Sequence, residues 1–161
     1  MRRDARELRA SGFELGLLRA TKTSMPGYSG TPLPKKLGIK EGYRVALLSM
    51  PSDVRSELRD ALAACRVTKD LTGPLDFIHV FSKSHVELER EMKRAAKILA
   101  PAGMLWISWP KKSSGVATDL TEGVIRDAGL AIGLVDVKVC AVTDVWSGLK
   151  FVIPVKNRPK D

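Results

Sequence analysis

The chain has few residues of the kinds that hold metals or form disulfides, with two cysteines and two histidines among 161 residues. Cys65 and Cys140 are widely separated and each has apolar neighbours, which favours buried, reduced thiols over a disulfide framework. His79 lies inside an apolar run, where a buried core histidine is the simpler interpretation, and His85 is expected at the surface. Neither the cysteines nor the histidines have the close spacing of zinc ligands, so we expect no metal site.

Long apolar runs are also missing. No stretch approaches the roughly 20 consecutive apolar residues of a membrane span. The apolar stretch nearest the N-terminus, residues 15–18, is shorter than the roughly 7–15 residues of a secretory signal. These absences predict a cytoplasmic protein that does not contact a membrane.

Two glycine-based enzyme motifs are missing as well. No Gly-x-Ser-x-Gly elbow of a hydrolase occurs, and the loop WPKKSSG at 109–115 lacks the Gly-x-x-x-x-Gly-Lys-Ser/Thr spacing of a phosphate-binding loop. Its lysines, serines and glycine still suit a small anionic ligand next to the N-terminus of the following helix. Asp119 near that helix start would compete for the same amides and repel an anion. A ligand site and a solvated turn therefore both stay open.

Positive charge exceeds negative charge, with 27 Lys and Arg against 18 Asp and Glu and a formal net charge of +9. The excess is spread over short pieces, the pairs 35–36 and 111–112 and the tail 156–161. No long basic stripe interleaved with aromatic residues occurs. Binding of nucleic acid or of an acidic protein through the basic arm and tail is therefore open but not favoured.

The chain is predicted to hold one α/β domain at residues 26–155, which its length allows. Residues 1–25 are rich in arginine and weakly patterned, so we interpret them as an extension outside this domain. Residues 156–161 form a basic tail.

Apolar runs and helix-type patterns alternate through the predicted domain. Ser84 with Glu87, and Asp119 with Glu122, have the spacing of helix-capping pairs. The turn at 143–148, TDVWSG, predicts a final hairpin. The order predicts a doubly wound, Rossmann-like, mostly parallel α/β sheet with a C-terminal antiparallel hairpin strand. Strands are predicted at 44–50, 65–68, 76–82, 104–109, 134–142 and 149–155, and helices at 33–37, 52–64, 84–99 and 119–131.

Polar loops follow the strands of this sheet, and in open α/β sheets ligands bind at the carboxyl ends of the strands. The turns at 49–53 and 82–84, the loop at 110–119 and the hairpin turn are expected to meet there. Trp146 in the hairpin turn either provides a flat wall for a ligand or partner or covers the sheet edge. Helix capping and turn formation already explain the acidic residues at this edge, so no catalytic residue is assigned. The candidate ligand-binding residues are Ser49, Ser52, Asp53, Ser82, Lys111, Lys112, Ser113, Ser114, Gly115, Thr118, Asp144 and Trp146.

Two stretches resemble known families. Residues 76–111 resemble the second half of class I S-adenosylmethionine-dependent methyltransferases, in which an Asp-led strand, a long helix, a Leu-x-Pro-Gly-Gly turn and a strand follow one another. Here the turn at 99–103 is LAPAG, with Ala102 in place of one glycine. More closely, residues 28–155 resemble a bacterial family described as a domain of unknown function, number three thousand and fifty-two, which brings no established activity. The matching stretches are GYSGTPLPKKLGIKEGYRVALL, WPKKSSGVATDLTE, GLVDVKVCAV and DVWSGLKFV.

The methyltransferase resemblance implies a cofactor site that this sequence matches poorly. In that superfamily a glycine-rich turn after the first strand lets the backbone approach S-adenosylmethionine, and an acidic residue after the second strand holds the ribose. Here the turn at 49–53, SMPSD, has no glycine, and Pro51 removes a backbone donor. Asp70 is the acidic candidate after the second strand. We therefore expect no cofactor, and S-adenosylmethionine in particular is not expected.

These observations lead to three hypotheses about function. The first is a non-catalytic binding or regulatory domain that engages a small anionic ligand or a protein partner at the carboxyl edge of the sheet. The second is a small atypical transferase, of methyl or phosphoryl groups, that uses the same edge. The third is weak binding of nucleic acid or acidic proteins.

Overall fold

A six-stranded sheet runs through residues 30–159, the part of the chain that the computed structural model describes. The extension predicted at residues 1–25 lies outside the described residues, and the predicted limits of the domain and the tail stay predictions. The strands are β1 (Arg44–Leu48), β2 (Arg66–Thr68), β3 (Leu75–Phe81), β4 (Leu99–Pro110), β5 (Val135–Ala141) and β6 (Trp146–Val152).

Helices connect or flank these strands. The helix at His85–Ile98 begins at its predicted cap, where Ser84 Oγ accepts a hydrogen bond from Glu87 N at 3.4 Å. Its Leu88, Met92 and Ala95 are buried, as their spacing along one helix face predicts. No helix among residues 30–159 has the length and apolar character needed to cross a membrane. The helices are α1 (Leu33–Leu37), α2 (Ser52–Glu57), α3 (Arg59–Ala63), α4 (His85–Ile98) and α5 (Glu122–Ala131).

The strand order is β2-β1-β3-β4-β6-β5. β1 pairs in parallel with β2 and β3, and β3 pairs in parallel with β4. β6 pairs antiparallel with both β4 and β5. This arrangement confirms the predicted fold class, a Rossmann-like, mostly parallel sheet with a late antiparallel strand. Because β2 and β3 lie on opposite sides of β1, the direction of winding switches at the end of β1, where ligands bind in such sheets.

Apolar side chains cover both faces of the sheet, because alternate residues of each strand point to opposite faces. On the face that we call the α4 face, Leu88 of α4 and Ile125 of α5 are fully buried. On the other face, which we call the α1 face, Leu37 of α1 and Leu58 after α2 are fully buried. There the indole Nε1 of Trp106 donates a hydrogen bond to Leu37 O at 2.8 Å, which holds α1 on the sheet.

One predicted helix is interrupted. The stretch at 52–64 forms α2 and α3, because Leu58 between them leaves helical geometry at φ −94° and ψ 1°. Leu58 is fully buried, so the break places an apolar side chain in the core of the α1 face. The N-cap of α2 is Pro51, without a side-chain cap, rather than the predicted Ser52 or Asp53.

Two strands begin earlier than predicted because a neighbouring strand supplies hydrogen-bond partners. β4 begins at Leu99, opposite Leu75 of β3, so the LAPAG turn is part of the strand. β6 begins at Trp146, opposite Pro110 of β4, so half of the predicted hairpin turn is strand. Thr143 Oγ1 closes the shorter turn by accepting hydrogen bonds from the backbone of residues 145 and 146, both at 3.1 Å.

Candidate functional site

The turn after β1 lies at the switch point of the sheet and has an unusual backbone. Ser49 has a φ of 59°, and it is the one non-glycine residue with a positive φ among residues 30–159. This left-handed region favours glycine and costs a residue with a side chain about 1–2 kcal/mol. Such conformations persist where the surrounding structure enforces them, and they cluster at ligand sites. The turn therefore adopts, at Ser49, the backbone that glycine commonly supplies.

A cleft of about 490 Å³ opens between the ends of β1 and β3, and we call it the switch-point cleft. Phe81 and Trp146 form an aromatic wall, with ring centroids 5.1 Å apart in an edge-to-face arrangement. Lys83 and Glu87 are exposed and bring one positive and one negative charge. Its size is that of a small-molecule site, and its charges suit a zwitterion. The lining residues are Ser49, Pro51, Phe81, Ser82, Lys83, Glu87 and Trp146.

A second cleft, of about 330 Å³, lies at the ends of β1 and β2, and we call it the Asp70 cleft. Leu48, the last residue of β1, lines this cleft, whereas the next residue, Ser49, lines the switch-point cleft. Asp70 follows β2 and is exposed. Consecutive residues of one turn therefore line the two clefts, and both clefts border the end of β1.

The loop after β4 lines a third and larger cleft of about 640 Å³, which we call the lysine-loop cleft. Trp109, Val116 and Leu120 make its apolar side, and Lys111 and Lys112 bring positive charge. Glu122 adds one negative charge to the two positive ones, and such a cleft suits an apolar ligand whose anionic group faces the lysines. The lining residues are Trp109, Pro110, Lys111, Lys112, Gly115, Val116, Ala117, Thr118, Leu120, Thr121, Glu122 and Ser147.

The hydroxyl of Ser114 holds the lysine loop together. Residues 112–114 form a 3-10 turn, and Ser114 Oγ donates to Lys111 O at 2.6 Å and accepts from Val116 N at 3.2 Å. Gly115 ends the turn in the left-handed region, at φ 77°. The loop is therefore a structured turn as well as the border of a cleft.

Asp119 does not cap the helix that follows it. The N-cap of α5 is Thr121, whose Oγ1 accepts a hydrogen bond from Val124 N at 3.2 Å. Asp119 Oδ1 instead accepts from the backbone N–H of His85, the first residue of α4, at 2.8 Å. The predicted capping pair with Glu122, and the predicted competition of Asp119 for the α5 amides, are therefore wrong. The two partners lie 34 residues apart, and only the folded chain brings them together.

The predicted site residues are divided among several places. Ser49, Ser82 and Trp146 line the switch-point cleft, while Lys111, Lys112, Gly115 and Thr118 line the lysine-loop cleft. The hydroxyl of Ser82 donates to Ser84 O at 3.1 Å and accepts from Ser84 N at 3.3 Å, so it shapes the turn after β3. Ser52 and Asp53 lie at exposed positions in the first turn of α2. Ser113 is exposed in the 3-10 turn, and Asp144 is exposed in the hairpin turn.

The predicted candidates do not include the lining residues Phe81, Lys83 and Glu87 of the switch-point cleft, although Lys83 lies in the predicted turn at 82–84. All three lie in or just after the carboxyl end of β3, in the stretch FSKSHVE at 81–87. Phe81 lies within the apolar run that predicts a strand at 76–82, and Glu87 is part of the predicted capping pair with Ser84. The rule that ligands bind where parallel strands end predicted the turn at 82–84, and the structure extends the site to Phe81 and Glu87 on either side of that turn.

His79 is a buried group of the α1 face, as its apolar strand predicts. Its Nε2 forms a 2.7 Å hydrogen bond with Ser108 Oγ, and its ring stacks on Phe81 with centroids 4.4 Å apart. Burial lowers the pKa of His79 to about 3, so the ring is neutral near pH 7. Within residues 30–159, no group of three or more His, Cys, Asp and Glu side chains is placed to hold a metal ion.

Solved structures similar to this one include methyltransferases. A S-adenosylmethionine-dependent methyltransferase from Aquifex aeolicus has a TM-score of 0.53 at 14% identity, over 75% of this chain and 88% of that chain. A precorrin-6y C5,15-methyltransferase from Geobacter metallireducens has a TM-score of 0.51 at 8% identity, over 75% and 85%. An O-methyltransferase from neocarzinostatin biosynthesis has a TM-score of 0.50 at 10% identity, over 70% of this chain and 49% of that chain. The fold is methyltransferase-like.

No protein-family model matches the chain, and no curated protein matches it. The resemblance to a bacterial family therefore stays a prediction.

The prediction that excluded S-adenosylmethionine is wrong. The O-methyltransferase from neocarzinostatin biosynthesis, which shares this fold, was solved in complex with S-adenosylmethionine. The conformational part of the premise also fails, because the turn after β1 reaches the left-handed region at Ser49 without any glycine. The acidic residue that the resemblance implies after the second strand is present as Asp70, in a cleft next to that turn.

Proposed function

We propose that the chain binds S-adenosylmethionine at the carboxyl edge of its sheet, across the end of β1. The observation that carries this proposal is the left-handed backbone of Ser49, at the boundary between the switch-point cleft and the Asp70 cleft. A strained turn without a ligand role would be expected to relax or to acquire a glycine, since either change removes about 1 kcal/mol of strain.

The side chains around the turn complement the parts of this cofactor. Asp70 offers carboxylate oxygens that can accept hydrogen bonds from ribose hydroxyls. The cofactor has an amino-acid part with a carboxylate and an ammonium group. The positive charge of Lys83 suits the carboxylate, and the negative charge of Glu87 suits the ammonium group. Phe81 and Trp146 place aromatic surface in the same cleft, which favours a positively charged sulfonium. When bound, the cofactor supplies a methyl group that a nucleophile can accept.

Changing Ser49 to valine is expected to weaken S-adenosylmethionine binding tenfold or more, whereas Ser49→Gly is expected to keep it. A β-branched side chain strongly disfavours a positive φ, and glycine adopts it freely. Isothermal titration calorimetry of the two variants and the unchanged chain measures the difference. Both variants remove the serine hydroxyl, so equal losses of affinity would assign the effect to that hydroxyl and contradict the backbone argument.

A second pair of variants tests the ribose contact. Asp70→Asn is expected to weaken binding about tenfold, the effect of losing a charge-assisted hydrogen bond. Asp60→Asn, at an exposed position of α3, makes the same change in net charge and is expected to leave the affinity unchanged. No binding by the unchanged chain, or equal affinities of the two variants, would reject the proposed site.

Methyl transfer is a second candidate function, supported by the neighbouring lysine-loop cleft. Trp146 lines the switch-point cleft and the next residue, Ser147, lines the lysine-loop cleft. Trp109, Lys111 and Lys112 suit an aromatic carboxylate, and the O-methyltransferase described above was solved with a hydroxynaphthoic acid. Formation of S-adenosylhomocysteine from S-adenosylmethionine and a hydroxynaphthoate would support transfer. Binding without turnover would leave the binding or regulatory role.

A further inference from the structure

Four lysines from separate segments of the chain meet on the α1 face of the sheet: Lys36 and Lys40 in and after α1, Lys138 in β5 and Lys150 in β6. Lys138 and Lys150 are directly opposite each other in the antiparallel ladder. Lys138 Nζ donates to Lys36 O at 2.8 Å, and Lys36 Nζ donates to Ala141 O at 3.0 Å. We call this group the lysine patch.

The charges of the lysine patch repel one another. Like charges directly opposite in a ladder destabilise a sheet. The pKa of Lys150 is lowered, first by burial and then by the positive charges of Lys138 and Lys40. Within residues 30–159, no carboxylate forms an ion pair with Lys40, Lys138 or Lys150. Lys40, Lys138 and Lys150 therefore carry positive charge without an ion-pair partner among residues 30–159, at a cost to the stability of the sheet.

Structural roles explain single members of the patch but not the group. Lys138 lies on the edge strand β5, where a lysine disfavours pairing with the strand of another molecule. Lys36 is only 7% exposed, and its hydrogen bond to the end of β5 holds α1 in place. Neither role applies to Lys150, because β6 is an inner strand paired on both sides. An anionic partner accounts for the charges of Lys40, Lys138 and Lys150 together.

We propose that the lysine patch binds the phosphates of duplex nucleic acid. Lysine is a flexible point charge that neutralises phosphates without reading bases. The patch also lacks a stacking surface for unpaired bases, since Trp106 beneath it is fully buried and its Nε1 is bonded to Leu37 O. The net charge of +9 favours the approach of such a polyanion. This inference does not depend on the proposed function.

Fluorescence anisotropy with a labelled DNA duplex of about 20 base pairs, at several salt concentrations, tests the proposal. With three phosphate contacts, from Lys40, Lys138 and Lys150, log K is expected to fall with log salt with a slope of roughly −2.7 from the patch alone. Replacing Lys138 and Lys150 together by glutamine is expected to reduce the slope by about 2 and the affinity at low salt by about 10- to 100-fold. The matched control replaces Lys93 and Lys97 of α4, both exposed on the α4 face, by glutamine.

The control variant has the same net charge as the patch variant, so it is expected to keep more of the affinity and nearly the full slope. Equal losses in the two variants, or an unchanged slope in the patch variant, would overturn the proposal. Binding of polyglutamate in preference to the duplex would overturn it in favour of an acidic protein partner. Thermal unfolding serves as the folding check, and the patch variant is expected to be at least as stable as the unchanged chain because a repulsion is removed.

Discussion

Lowering the pH from 7 to 5 is expected to reduce the free energy of unfolding by about 2 kcal/mol through His79 alone. In the folded chain, burial lowers the pKa of His79 to about 3, whereas an unfolded histidine has a pKa near 6.5. Between these values the unfolded chain binds a proton that the folded chain does not, so stability falls as the pH falls. The contribution is fully present above about pH 7, and the loss levels off near pH 3.

Urea unfolding at pH 7, 6 and 5 measures this slope. The double variant His79→Leu, Ser108→Ala is expected to be nearly flat over the same range, since it removes the histidine and does not leave the Ser108 hydroxyl unpaired. His85→Gln, at a partly exposed position, is the control and is expected to keep the slope. The range above pH 5 is chosen because carboxylates titrate below it. A double variant as acid-sensitive as the unchanged chain would refute the role of His79.

The substitution Gly129→Ala is expected to lower the free energy of unfolding by about 2 kcal/mol. A Cβ at this position of α5 would overlap the ring of Phe151, which is fully buried in β6. Alanine ordinarily stabilises a helix by about 1 kcal/mol relative to glycine, so the overlap must outweigh that gain. The same change at Gly123 in the same helix meets open space, with Thr121 Oγ1 the nearest atom at 3.9 Å.

Urea unfolding of the two alanine variants separates helix propensity from packing. Gly123→Ala is expected to be neutral or to stabilise by up to about 1 kcal/mol. Adding Phe151→Leu to Gly129→Ala is expected to cost less than the sum of the single changes, because the smaller side chain relieves the overlap. Additive losses would show that the ring of Phe151 does not impose glycine at position 129.

The main elements of the fold could be predicted because their signals are local. Strands β1, β3 and β4 contain continuous apolar runs, and α4 has both a capping pair and an apolar face. The boundaries at Leu99 and Trp146 could not be predicted in this way. Each is set by pairing with a neighbouring strand, opposite Leu75 of β3 and opposite Pro110 of β4, and residues near the boundary do not encode those partners.

The candidate site was only partly visible in the sequence. Ser49, Ser82 and Trp146 were predicted because strand ends converge in an α/β sheet, and the structure places them around one cleft. The backbone angle of Ser49 could not be predicted, since serine has no preference for a positive φ and local rules assign that conformation to glycine. The cofactor prediction followed from the missing glycine, and it is wrong because a structure with this fold was solved with S-adenosylmethionine.

The sequence by itself determined the class of the fold, the positions of its strands and helices, and the edge where its polar loops gather. Those features depend on apolar periodicity and capping pairs, which act between residues a few positions apart. The tertiary structure decided that Asp119 accepts a hydrogen bond from the first residue of α4, that Gly129 must lack a side chain, and that the four lysines share one face. These depend on contacts between residues far apart in the chain, whose geometry exists only after the sheet has formed.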